Sequence, residues 1–165
     1  MKFCHERSSR LNLPYSRLLI TAMGRGMTES TSISPSLLEQ LKTAARDVSR
    51  HAYCPYSHFA VGAAVITDKN EIFAGCNVEN AAYGSSICAE RSAIFQAVAK
   101  GMTKLRAVAT YTPTPHPTMP CGNCRQVINE FGPDAEIFAV CDGHEVAHHV
   151  LSALLPESFG PKNLL

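Results

Sequence analysis

The 165-residue sequence carries almost no excess of charge. Fifteen Lys and Arg stand against fourteen Asp and Glu, a formal net charge of +1. That excludes a global electrostatic pull towards nucleic acid or anionic lipid. Tryptophan is missing and aromatics make up only 7% of the chain. No basic stripe with interleaved aromatics appears, so a polynucleotide-binding groove is not expected. No apolar run approaches the ~18 residues that would cross a bilayer. Internal repeats and low-complexity tracts are absent too. What remains, 45% hydrophobic and 18% charged residues, is ordinary for one globular domain with one core.

An even set of cysteines is also lacking. There are seven: Cys4, Cys54, Cys76, Cys88, Cys121, Cys124 and Cys141. An odd number without a secretory signal argues against a disulfide framework. Reduced thiols in the cytoplasm, some of them metal ligands, are the better reading. Residues 1–26 differ from the rest, with Lys2, Arg7, Arg10, Arg17 and Arg25 against the single acid Glu6. They show no long apolar stretch. A disordered tail, or a start placed upstream of a true Met27, is preferred over a transit peptide. Residues 27–165 form the domain.

Ser34-Pro35 reads as a helix start, followed by Leu37, Leu38, Leu41, Ala44, Ala45 and Val48 at helical spacing. Strands are expected over Val61–Thr67 and Glu71–Gly75, joined by a turn at Asp68-Lys69-Asn70. A helix over Cys88–Lys100 stops at Gly101. A strand follows over Leu105–Tyr111. The four prolines of Thr112–Pro120 require a loop. A second helix spans Cys121–Phe131, a strand spans Ala135–Cys141, and a short helix is expected over His149–Leu155. Strands interleaved with helices indicate an α/β fold, a three-layer α/β/α sandwich around a mixed sheet of about five strands.

Two segments carry chemistry: Cys88-Ala89-Glu90-Arg91 and Pro120-Cys121-Gly122-Asn123-Cys124-Arg125. Each puts cysteine at a helix start, where the helix dipole and free backbone N–H groups stabilise a thiolate. Cys121 and Cys124 are three residues apart and share a helix face. Cys88 completes three corners of a tetrahedron around one Zn²⁺ per chain. The open fourth corner for water separates a catalytic site from a structural one. Glu90, two residues past Cys88, is placed to shuttle protons without binding the metal. The order of these residues is the described signature of the zinc deaminases. Three thiolates over-neutralise Zn²⁺, so a cation bonded to one of them would drain charge. Arg91, one turn after Cys88, is the choice for that role, with Arg125 in reserve. Taken singly, C-x-x-C also fits a redox pair or a structural zinc knuckle, and C-x-E means little. The combination is what points to catalysis. Cys4, Cys54, Cys76 and Cys141 read as tail, loop or core thiols. His58 reads as a loop histidine, and His144, His148 and His149 as solvated surface.

From about Leu37 to Pro161 the sequence resembles the small, single-domain cytidine deaminases. The segments that carry this are Tyr53–Gly62 (YCPYSHFAVG), Gly75–Tyr83 (GCNVENAAY), Ile87–Ile94 (ICAERSAI), Pro120–Gln126 (PCGNCRQ) and Leu154–Pro161 (LLPESFGP). The resemblance implies zinc on Cys88, Cys121 and Cys124, with Glu90 as proton shuttle. It implies Phe59 against the pyrimidine, Asn77 and Glu79 on the ribose 3′-hydroxyl, and the Ala89 backbone with Glu90 on the base edge. It also implies a homotetramer in which Tyr83 and Phe159 reach into a neighbour's active site. From the residues alone, Asn77 reads as a turn residue, Glu79 as a solvated acid, and the aromatics as packing. Two positions depart from the family pattern: Met119 stands where relatives carry a small residue, and Ala82 where Cys is frequent.

The expected function is hydrolytic deamination of cytidine and deoxycytidine in pyrimidine salvage. The partner is a small nucleoside, not nucleic acid or membrane. The alternatives are blasticidin S deaminase activity, or a non-catalytic zinc-binding interaction module. The module would need a fourth protein ligand.

Overall fold

A computed structural model of the protein describes residues 33–164. The basic segment 1–26 and Cys4 lie outside the described residues. The first helix, α1 (Pro35–Val48), begins as expected, with Ser34 Oγ accepting the Leu37 amide at 3.3 Å. Strands β1 (Gly62–Thr67) and β2 (Ile72–Cys76) form the hairpin. Asn70 makes its turn with a left-handed φ of 62°, a conformation asparagine tolerates better than most residues. Helix α2 (Ala89–Ala99), strand β3 (Leu105–Tyr111), helix α3 (Gly122–Phe131) and strand β4 (Glu136–Val140) follow.

The sheet order is β2-β1-β3-β4, completed by β5 (Val146–Val150) at the far edge. Only β3 and β4 are parallel; the other neighbours are antiparallel. Strand alternation sorts the core into two halves. Ala64, Ile66, Ala107, Ala109 and Phe138 face α1 through Leu41 and Ala45. Val65, Val108 and Ile137 face α2, α3 and the short α4 (Leu151–Leu154) through Ala93, Ile94, Ile128 and Leu151. The three-layer sandwich on a mixed five-stranded sheet is therefore present.

One element differs from the sequence reading. The expected helix over His149–Leu155 is a strand followed by a single helical turn. Along β5 four of five residues are exposed, so no buried stripe announces it. Its backbone pairing with β4 supplies what burial does not. His148 is also less free than a solvated histidine. It stacks on Phe138, with ring centroids 4.3 Å apart, and its Nε2 lies 3.0 Å from Glu136 Oε2.

Candidate active site

Helices α2 and α3 start side by side at the end of β3. Cys88 is the N-cap of α2 and Cys121 the N-cap of α3, and neither side chain makes a capping hydrogen bond. Both sulfurs are thus left for another partner. Cys124, buried in the first turn of α3, joins them. The three Sγ atoms lie within 4.8 Å of one another, with Cys88 and Cys121 at 4.0 Å. Zinc–sulfur bonds of about 2.3 Å in a tetrahedron set the edge at about 3.8 Å, so the trio needs only a small contraction to close on Zn²⁺. The donor set fits the metal.

Charge at the trio is uneven. The Cys124 thiol and the Arg91 guanidinium, both hydrogen-bonded to Cys88, bring its thiol down to about 5. Cys124 is pushed the other way by its bond to Cys88 and by burial. Arg91 Nη2 stands 3.5 Å from Cys88 Sγ and 3.4 Å from the Ser86 carbonyl. Its Nε is buried without a hydrogen-bond partner, an unspent donor on the same guanidinium. Arg125 turns elsewhere. Its Nε donates to the Pro120 carbonyl at 2.8 Å and its Nη1 to the Leu154 carbonyl at 3.0 Å.

Glu90 is 4% exposed, and its Oε2 accepts from the Cys124 thiol at 3.4 Å. Burial raises its carboxyl above the usual carboxylate range. A buried carboxyl that holds its proton more tightly than an exposed one suits transfer in both directions.

Cys88, Glu90, Arg91 and Cys121 line a cavity of about 710 Å³ that also takes in Phe59, Asn77, Glu79, Ala89 and Tyr83. The Asn77 side chain is bound into the loop before β1. Its Oδ1 accepts the Val61 amide and its Nδ2 donates to the Phe59 carbonyl, both at 2.9 Å. Glu79 Oε2 accepts the amides of Tyr56 at 2.9 Å and Ser57 at 3.2 Å. The Ser57 hydroxyl and these amides hold the carboxyl below its usual range. Both residues therefore shape the wall that they line. Phe159 is not part of this wall. Its ring is 60% exposed.

Ser57, Thr110 and Thr112, to which the sequence reading assigns no role, also line the cavity, as does Met119, the departure from the family pattern. Ser57 sits in the quoted YCPYSHFAVG segment, where only Phe59 drew a role. Thr110 and Thr112 place buried hydroxyls at and just beyond the end of a strand whose preceding run, Ala107-Val108-Ala109, is apolar and buried. Met119 packs its side chain partly into the core below α2 and α3.

Comparison with known proteins follows the same lines. Residues 35–140 match the cytidine and deoxycytidylate deaminase zinc-binding region. A cytidine deaminase of Sporosarcina psychrophila is 38% identical over 128 residues, 77% of this chain and 94% of its own length. One from Mycobacterium tuberculosis strain H37Rv is 40% identical over 124 residues, 75% of this chain and 90% of its own. The crystal structure of cytidine deaminase from Burkholderia pseudomallei superposes with a TM-score of 0.70 at 43% identity, covering 73% of this chain and 98% of that one.

Proposed function

Because the chain belongs to the cytidine and deoxycytidylate deaminase family, we propose that it hydrolyses cytidine and deoxycytidine to uridine and deoxyuridine. The observation that carries this is the buried Glu90 carboxyl against three clustered thiols, at the floor of a cavity with Asn77 and Glu79 on its wall. Water adds at C4 of the pyrimidine and ammonia leaves.

Cys88, Cys121 and Cys124 would hold one zinc ion per chain. When bound, zinc supplies Lewis-acid activation of water at neutral pH. Glu90 takes one proton from the attacking water and delivers it to N3, then takes the second from the hydroxyl added at C4 and passes it to the departing amino group. Arg91 offsets the negative charge of the thiolates. The Ala89 amide and Glu90 read the base edge, and Phe59 packs on the ring. Asn77 and Glu79 bind the ribose 3′-hydroxyl. Each keeps capacity for this, since an amide and a carboxylate have more donor and acceptor positions than the loop consumes.

Four chains assemble, with Tyr83 and Phe159 completing a neighbour's site. The exposure of both rings supports this: Tyr83 is 74% exposed at the rim of its own cavity. Residues 27–165 form the catalytic domain and 1–26 an appendage. The enzyme works in cytoplasmic pyrimidine salvage. All six described cysteines are free thiols, which suits a reducing compartment. No described helix is long and apolar enough to cross a membrane.

Loss of ultraviolet absorbance on incubation with cytidine, deoxycytidine, their monophosphates and blasticidin S tests the reading. Turnover of the two nucleosides is expected. Turnover of blasticidin S alone, or of none, would refute it.

A further inference from the structure

The exposed ring of Phe159 sits on a segment held by polar side chains instead of apolar packing. Gln126 Nε2 and Asn129 Nδ2, three residues apart on one face of α3, both donate to the Phe159 carbonyl, at 2.9 and 3.3 Å. Ser158 Oγ donates to Asn129 Oδ1 at 3.0 Å. Asn129 itself is only 7% exposed. Its amide is thus a buried polar group whose donor and acceptor both serve the C-terminal segment. Glu157, with a left-handed φ of 53°, turns the chain into this position. A Cβ on Gly160 would stand 3.0 Å from Asn129 Nδ2, so the segment lies close against the amide.

The same helix begins with Cys121 and Cys124. One helix with its cap therefore carries two thiols of the reacting centre at its start and the anchor of an exposed aromatic near its end. We propose that Asn129, assisted by Gln126, is a positioning residue: it fixes Phe159 in the pose that enters a second copy of this chain. This rests on the reading that Phe159 completes a neighbour's site. An aromatic side chain delivers binding energy only if its backbone is already ordered, because ordering it on contact costs free energy. A buried amide bonded through both its nitrogen and its oxygen orders that backbone beforehand.

The experiment is a double-mutant cycle on the zinc-loaded full chain, combining Asn129→Ala with Phe159→Ala. Asn129→Ala alone is expected to lower kcat/KM for cytidine about five-fold, the scale of losing a typical hydrogen bond, mainly through KM. Zinc content stays at that of the wild type. In the Phe159→Ala background the same substitution changes kcat/KM by less than two-fold. An equal loss in both backgrounds makes Asn129 merely structural and overturns the proposal, as does no loss in either. If Phe159→Ala leaves kcat/KM intact, the parent reading of Phe159 fails and this one falls with it. Gln126→Ala repeats the test at an exposed position, should Asn129→Ala not fold.

Discussion

At the scale of single residues the site holds two carboxyl groups in opposite environments. Burial raises the Glu90 carboxyl above its usual range, while hydrogen bonds from the Ser57 hydroxyl and the Tyr56 and Ser57 amides hold Glu79 below it. Glu90→Gln keeps shape and removes the titrating proton. Turnover should fall by about 10²–10⁴, the range of general acid–base catalysis, while metal analysis still finds the wild-type zinc content. In the proposed reading Glu79 takes part in sugar recognition. A substrate without the 3′-hydroxyl then forgoes its hydrogen bonds to Asn77 and Glu79. Steady-state kinetics should therefore find 3′-deoxycytidine much poorer than cytidine, and cytosine poorer still. Deoxycytidine should react comparably to cytidine. Glu79→Ala should narrow the gap between cytidine and 3′-deoxycytidine, and an unchanged gap would remove the ribose contact. That substitution also frees the Tyr56 and Ser57 amides, so some loss on every substrate is expected.

At the scale of elements, the helices are held at their strands by close backbone approach. A Cβ on Gly75 of β2 would stand 2.5 Å from the Ala93 nitrogen of α2. Neither group is a flexible side chain that can swing away. Gly75→Ala should destabilise by about 1–3 kcal/mol, read as a lower midpoint in thermal unfolding. Because α2 carries Cys88 and Glu90, zinc retention should weaken as well. This packing explains what was readable beforehand. Helix α1 carried a cap and a periodic apolar face, α2 and α3 ended at glycine stops, and the buried strands were apolar between turn residues. Strand β5 carried none of these, since Val146-Ala147-His148-His149-Val150 is fixed by pairing at an edge. The sulfur trio was legible from spacing, because helix starts turn spacing into geometry. The bonds of Asn77 and Glu79 to the 56–61 loop were not. They join residues 16 to 23 positions apart through contacts that no local pattern encodes.

At the scale of the whole molecule, the expected particle has four chains. Light scattering on the zinc-loaded protein should give a mass near four times 17.9 kDa. Removing residues 1–26 should leave that mass and the turnover of cytidine nearly unchanged, because the family match begins at residue 35. A marked loss of either would show that the segment packs on the domain.

The two uncapped helix starts have a consequence for folding as well as for chemistry. Cys88 and Cys121 are 33 residues apart in sequence, so an ion shared between them ties the chain into a ring that takes in α2, β3 and the proline-rich loop. If the metal stayed on both cysteines in the unfolded chain, such a closure would remove roughly 3–4 kcal/mol of disorder from it, as a covalent crosslink of that span would. Lost to solution on unfolding, it stabilises the native form instead by mass action. Either way zinc serves as a removable staple. Chelation should therefore loosen the first turns of α2 and α3 before the rest of the sheet, and amide hydrogen exchange at Glu90–Ser92 and Asn123–Arg125 should quicken ahead of that in β1 and β3.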